Sequence, residues 1–124
     1  MKQEKKELLL KDLCARLPYM PKIKITYQQQ GIKGIDEGKV SCDFIEKIVN
    51  DLRNGVITNM QIYLRPMSSM TEEEEKEYSE IFWNRKADYI GAACVIDWLL
   101  EHHFDFRNLI NKGLAIDCTN LNIY

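Results

Sequence analysis

The chain has 124 residues, of which 45% are hydrophobic and 29% are charged, and its net charge at pH 7 is −2. These values predict one globular domain over residues 1–124, and the net charge argues against a protein built to coat DNA. No apolar run is long enough to span a membrane, and Lys11 and Asp12 interrupt the N-terminal leucine run where a signal peptide would need its apolar core. We therefore predict a cytoplasmic protein.

Charge is distributed unevenly along the chain. Residues 1–33 carry a balance of +5, residues 34–80 of −6 and residues 81–124 of −1. Regions of opposite charge suit self-association, and we expect a homo-oligomer. The basic third also allows nucleic-acid binding, which we rank below other kinds of binding, through Lys2, Lys5, Lys6, Lys11, Lys22 and Lys24.

The N-terminal segment predicts a helix followed by a strand. Leucines at helical spacing indicate a helix over residues 4–16, and Pro18 and Pro21 end it. Apolar and polar residues then alternate over residues 22–27, as they do in a half-buried strand. The polar run at residues 28–31 predicts a turn.

The next segment predicts a weak strand, a helix and a second strand. Residues 32–35 lie among three glycines, which favours a short strand and a bend. Ser41 is the expected N-cap of a helix over residues 42–53, and Gly55 suits its C-terminal end. An alternating strand over residues 56–65 follows.

The middle of the chain joins that strand to another helix. Pro66 cannot donate to a sheet ladder, so the strand should end there. Thr71 and Glu74 have the spacing of a capping box, and the four glutamates at residues 72–75 favour a helix start through the helix dipole. These glutamates fan around the helix axis, so we expect a solvated helix start and no metal site.

The C-terminal third predicts mostly helix. Residues 88–103 are apolar around most of the circumference, which indicates the central core helix or an oligomer contact. Asp105 should cap a short turn that Gly113 closes, and residues 114–116 suit an edge strand. The whole pattern predicts an α+β fold with an N-terminal helix, a small, mostly antiparallel sheet and a helical C-terminal third.

No arrangement typical of a catalytic or metal site is present. The adjacent His102 and His103 point about 100° apart on a helix, so they suit its C-terminal end better than one metal or an acid/base pair. We predict no metal, no cofactor and no enzymatic activity. The cysteines are expected to be buried and reduced, and they are Cys14, Cys42, Cys94 and Cys118.

Arginine and aromatic residues recur on both sides of the central loop. Together they suit recognition of a base or a phosphate by stacking and forked hydrogen bonding. The same residue types dominate protein interfaces and also cover cores at the ends of elements. The predicted ligand-binding residues are Tyr63, Arg65, Trp83, Arg85, Tyr89 and Arg107.

Arg65 has two competing roles. It precedes the loop at residues 66–70, which leads to a helix N-terminus with unpaired backbone N–H groups, so it could hold an anion there. The glutamates at residues 72–75 oppose an anion, and Arg65 could instead form an ion pair with them. The sequence leaves both roles open.

Three blocks of this sequence carry a resemblance, and they are residues 8–19, residues 63–75, and residues 97–107 with 113–116. They resemble a family of short uncharacterised proteins encoded by Bacteroidales phages, prophages and mobile elements. The blocks keep their order and cover somewhat under half of the chain, whereas residues 22–62 match poorly. No activity is assigned to that family, so the resemblance implies no site residues. It implies an accessory gene and a host-cell location.

The resulting hypothesis is a non-enzymatic binding protein, a host-manipulation or anti-defence factor that sequesters a small anionic ligand such as a nucleotide signal. A protein-interaction module that blocks a host protein through its aromatic C-terminal surface is the alternative.

Overall fold

The computed structural model describes the backbone of residues 2–85 and 89–124 and the side chains of residues 2–83 and 92–124. Within these ranges lie four α-helices and four β-strands, with short 3-10 turns after α1 and β3. In chain order they are α1 (Gln3–Arg16), β1 (Lys22–Gln29), β2 (Ile32–Lys39), α2 (Ile45–Arg53), β3 (Ile57–Leu64), α3 (Glu72–Arg85), α4 (Tyr89–Glu101) and β4 (Ala115–Asp117). The predicted α+β class is confirmed.

The strands form one sheet in the order β2-β1-β3-β4. β1 pairs antiparallel with β2 and β3, whereas β4 runs parallel to β3 at the other edge. The mostly antiparallel sheet and the terminal edge strand are therefore confirmed. Within the described helices, none combines the length and apolarity needed to cross a bilayer.

The β1–β2 hairpin is longer than the sequence suggested. Its turn consists of Gln30 and Gly31, whose φ angles of 51° and 80° are those of a type I′ turn. The turn predicted at residues 28–31 is present but begins two residues later, because β1 continues to Gln29. The prediction of a short second strand is wrong, since β2 has eight residues. Gly34 does not break the strand, because the ring of Tyr27 lies where a Gly34 side chain would be.

One apolar cluster lies between the sheet and the helices α1 and α2. Leu9 and Leu13 of α1 and Leu52 of α2 are fully buried there, beside Met60 and Ile62 of β3. These helices therefore cover the sheet face formed by the alternating apolar residues of β1 and β3. The predicted N-terminal helix is confirmed, and it supplies much of this core.

A smaller cluster lies where α3 and α4 meet, and it includes Trp98, Leu99 and Phe104. The prediction that residues 88–103 form the central core helix is wrong, because α1 and α2 already occupy the core face of the sheet. Along the described part of α4, Ala92 is exposed and 43% of Ile96 is accessible. Oligomer contact through α4 stays a prediction.

Two further local predictions are wrong. Ser41 is not the N-cap, because α2 begins only at Ile45 and the Ser41 carbonyl instead accepts the backbone N–H of Phe44 at 3.1 Å. The predicted burial of the cysteines is wrong for Cys14 and Cys42, which are exposed free thiols. Cys14 follows the buried Leu13 on α1 and lies on the solvent side of that helix. Cys42 lies in the loop before α2.

The turn after α4 forms as predicted. Asp105 is buried, and its carboxylate accepts the backbone N–H groups of Leu109 at 2.8 Å and Ile110 at 2.9 Å. Gly113 ends this turn with a φ of 76°. The Asp105 carboxylate thus replaces backbone partners that an irregular segment cannot supply.

A buried ionic network connects α1 to the chain after α4. Asp12 and Arg16 are fully buried, and the Asp12 carboxylate accepts bonds from Arg16 Nε at 2.6 Å and Arg107 Nη1 at 2.6 Å. Arg16 Nη2 also donates to the Phe104 carbonyl at 2.7 Å. The network therefore joins residues about 90 positions apart in the sequence, next to both apolar clusters.

Asp12→Ala should lower the free energy of unfolding by about 3–5 kcal/mol, because it leaves the buried Arg16 without its counter-charge. Urea denaturation followed by circular dichroism measures the change. Asp51→Ala is the matched control, since it breaks an i,i+4 pair with Lys47, whose side chain is 77% exposed, and should cost about 0.5 kcal/mol or less. Equal losses in the two variants would contradict the role of the network.

Candidate functional site

Arg65 is held in place by its backbone and by its side chain. Its N–H donates to the His103 carbonyl and its carbonyl accepts the Asp105 N–H, both at 2.8 Å, so the strand end is tied to the segment after α4. Its guanidinium lies over the Phe104 ring, 4.3 Å from the centroid. A fully buried aromatic ring therefore positions the charged group.

The same guanidinium forms a forked ion pair with Glu74. Arg65 Nη1 and Nη2 donate to the two carboxylate oxygens at 2.8 and 2.6 Å, and these contacts hold the pKa of Glu74 down at about 2. The ion pair that the sequence left open is thus present. A ligand at Arg65 would have to bind beside Glu74 or compete with it.

Glu74 also completes the predicted capping box, which is confirmed. The Thr71 N–H donates to the Glu74 carboxylate at 3.0 Å, and the Glu74 N–H donates to the Thr71 hydroxyl at 3.1 Å. One carboxylate therefore starts α3 and orients Arg65 at the end of β3. Glu74 therefore holds the central loop at both ends, through Arg65 before it and Thr71 after it.

A cavity of about 540 Å³ opens beside this unit. It has a volume typical of small-molecule sites. Arg65, Ser69 and Thr71 form the wall made by the central loop, and the end of α4 and the C-terminal segment form the rest. The lining residues are Arg65, Ser69, Thr71, Glu101, His102, His103, Cys118, Thr119, Asn122, Ile123 and Tyr124.

Tyr124 closes one side of the cavity. Its hydroxyl donates to the Tyr63 carbonyl at 2.9 Å and accepts the Lys22 N–H at 2.7 Å, and its ring stacks on His103 at a centroid distance of 3.5 Å. Burial is the main cause that raises the pKa of this hydroxyl to about 12. The tyrosine therefore binds the C-terminal segment to β1 and β3 as a neutral group.

His103 lies beneath that ring, and its Nδ1 is buried with no protein partner. Burial, and then nearby cations led by Arg16, lower its pKa to about 4. The imidazole is therefore neutral at pH 7. His102 has a different environment, since its ring stacks on Trp98 at 4.1 Å and its Nδ1 contacts the Trp98 carbonyl at 2.8 Å.

The six predicted ligand residues do not form one group. Of the side chains that the structure describes, only Arg65 lines the cavity. Tyr63 is buried and donates to Glu37 at 2.6 Å, and burial, followed by this hydrogen bond, raises its pKa to about 12. Arg107 belongs to the Asp12 network, and 67% of Trp83 is accessible on α3.

The remaining two, Arg85 and Tyr89, have side chains outside the described residues. Sequence reasoning missed the cavity residues that come from the end of α4 and from the C-terminal segment. No motif marks Thr119, Asn122 or Tyr124, and their place in the wall depends on the parallel pairing of β4 with β3.

The lysines proposed for nucleic-acid binding are divided between two sides of the sheet. Lys22 and Lys24 lie on the polar face of β1, and Lys22 stands over the Tyr63 ring. The others belong to α1 and its start, which pack on the opposite face. Lys5 and Lys6 there lie close to the carbonyls of Lys112 and Leu52.

Comparisons with family profiles, with curated proteins and with solved structures gave no match to this chain. Within the described part of the chain, no group of three or more His, Cys, Asp or Glu side chains has the spacing of a metal site.

His103 predicts a pH dependence of stability. In the unfolded chain its imidazole takes up a proton near the ordinary pKa of 6.5, whereas in the fold it does so only near 4. The unfolded state therefore binds more protons between these values, and the free energy of unfolding should fall as the pH is lowered through this window, by on the order of 1–3 kcal/mol. Urea denaturation at a series of pH values measures the slope.

His103→Asn is the informative variant, because asparagine tolerates the φ of 63° found at this position. It should flatten the profile between pH 6.5 and 4, whereas His102→Asn should retain the slope. An unchanged slope in His103→Asn would contradict the assignment.

Proposed function

We propose that this protein is a non-enzymatic binding protein that sequesters a small anionic ligand, such as a nucleotide signal, in the cavity beside Arg65. The observation that carries the proposal is the cavity itself, about 540 Å³ in volume and bordered by a positioned guanidinium. The resemblance to proteins of Bacteroidales phages and mobile elements supports a role as an accessory factor in the host cytoplasm. Sequestration there would remove a host signal without chemical conversion.

The chemistry of the walls favours a ligand of low charge. Glu74 already balances Arg65, and Glu101 adds a second carboxylate to the cavity lining. A polyphosphate would be repelled by these groups, whereas one delocalised charge can share the guanidinium. A phosphodiester or a carboxylate therefore suits the site better than a nucleoside triphosphate.

Other residues that line the cavity carry neutral hydrogen-bonding groups. Ser69, Thr71, Thr119 and Asn122 line the cavity, and His103 is neutral there. The three hydroxyls bond to the Pro66 carbonyl, the Glu74 N–H and the Asp117 carboxylate, and each keeps part of its hydrogen-bonding capacity for a ligand. Such groups can satisfy the edge of a base or the hydroxyls of a sugar without adding charge. This combination supports a nucleotide with a single charge.

Isothermal titration calorimetry with a 3′,5′-cyclic nucleotide, the matching 5′-monophosphate and the uncharged nucleoside tests the proposal. The cyclic nucleotide should bind most tightly. Arg65→Ala should weaken it about tenfold or more, because a charge-assisted hydrogen bond contributes about 1.5–3 kcal/mol. Arg53→Ala is the control, since Arg53 is an exposed arginine on α2.

Glu74→Gln separates a ligand role of Arg65 from a bracing role. It frees the guanidinium, so it should strengthen binding of the cyclic nucleotide while it destabilises the start of α3. If Arg65 only braces the helix, Arg65→Ala should leave every titration unchanged and should lower the free energy of unfolding by about 1–2 kcal/mol. Failure of all three probes to bind would overturn the nucleotide form of the proposal.

The α3–α4 surface supports the second candidate, a module that blocks a host protein. Trp83 is 67% accessible, and an exposed tryptophan is a typical anchor of an interface. The aliphatic Ile96 on α4 is 43% accessible and adds apolar surface. Photo-crosslinking from position 83 in host cells tests it. A crosslinked host protein that Ile96→Lys removes would favour this candidate over ligand sequestration.

A further inference from the structure

β2 forms a long edge of the sheet with no partner on its outer side among the described residues. It has eight residues, whereas the other edge strand, β4, has three. Ile32 and Ile35 on this strand are 66% and 64% accessible. A long edge with exposed apolar side chains and no proline is a template for pairing with another strand.

The hydrogen bonds of the hairpin determine which groups face outward. The Val40 N–H donates to the Pro21 carbonyl at 2.9 Å, so Val40 and Pro21 form a hydrogen-bonded pair. Because such pairs alternate along an antiparallel ladder, the even-numbered residues of β2 bond to β1. The N–H and C=O groups of Lys33, Ile35 and Glu37 therefore point to the open edge.

We propose that a second copy of this chain pairs with this edge, β2 against β2 and antiparallel, with Ile35 on the two-fold axis. In this register Ile35 opposes Ile35 of the second copy, and Lys33 opposes Glu37 of the second copy twice. All outward backbone groups of these three residues are then bonded across the interface. The two sheets become one sheet of eight strands.

Charge selects this register over its neighbours. A shift by two residues in one direction places Lys33 against Lys39 and Asp36 against Asp36, which opposes like charges. A shift in the other direction places Lys33 against Ile35 and leaves Glu37 without a lysine. A shift by one residue sets outward groups against inward ones, so no ladder forms.

Shape supports the same register on the other face of the sheet. There Ile32 of one copy lies opposite Gly38 of the other, which has no side chain and has open space where one would begin. Gly38 borders an apolar groove of about 250 Å³, which Phe44 and Ile48 also line. Phe44 is 60% accessible, so Ile32 of the second copy can cover apolar surface that one chain leaves exposed.

This inference does not depend on the proposed ligand, and it names a surface different from the α4 contact predicted from the sequence. Sedimentation velocity of the full chain at about 1–100 µM tests it. A dimer is expected. Ile35→Pro should give a monomer of unchanged circular dichroism, because proline removes an N–H that faces the open edge and makes no bond to β1.

Two control pairs make the test specific. Lys33→Glu should raise the dissociation constant about tenfold, whereas Lys39→Glu should change it by less than about threefold, because Lys39 opposes the uncharged Gly31 of the second copy. Ile96→Lys on α4 should leave the dimer intact. A wild-type monomer at every concentration would overturn the proposal, and so would a dimer that Ile96→Lys dissociates and Ile35→Pro does not.

Discussion

The Asp12 carboxylate is the constraint on which the rest of this structure depends. It is fully buried between Arg16 and Arg107, and charged groups are tolerated at such a position only when their geometry and hydrogen bonding are nearly complete. Arg16 Nη2 extends the network by donating to the Phe104 carbonyl, whereas Arg16 Nη1 is buried without a hydrogen-bond partner. Because Phe104 also packs on Trp98 and lies under Arg65, the network fixes the second apolar cluster and the cavity wall together. α1 thereby orients a site to which it contributes no lining residue.

Sequence reasoning succeeded where the deciding interaction is local. The capping box of Thr71 and Glu74, the carboxylate of Asp105 and the end of β3 before Pro66 all involve residues at most five positions apart. It failed where tertiary packing decides. β2 seemed too rich in glycine to continue, but the ring of Tyr27 on the paired strand covers Gly34 and makes glycine the fitting residue. The apolar sequence of α4 predicted a central helix, but α1 and α2 cover the core face of the sheet.

The candidate site shows the same division. Arg65 was identifiable because a strand end, a loop and a helix start are adjacent in sequence. The pairing of Arg107 with Asp12 spans 95 positions, and no periodicity in either segment signals it. The C-terminal wall depends on parallel pairing between β3 and β4, which places Thr119 and Asn122 beside a loop about 50 residues earlier. Non-local contacts of this kind have no signature in a single sequence.

The cavity and the β2 edge are joined by one chain of contacts. Glu37, which faces the edge, accepts the Tyr63 hydroxyl, and the Tyr63 carbonyl accepts the hydroxyl of Tyr124. The Tyr124 ring in turn covers His103 in the cavity wall. A ligand that moved Tyr124 would alter the position of Tyr63 and its bond to Glu37, the residue that Lys33 of a second copy would approach. By linkage, ligand binding in the cavity would then change the free energy of pairing at the β2 edge by the same amount as pairing changes the free energy of ligand binding.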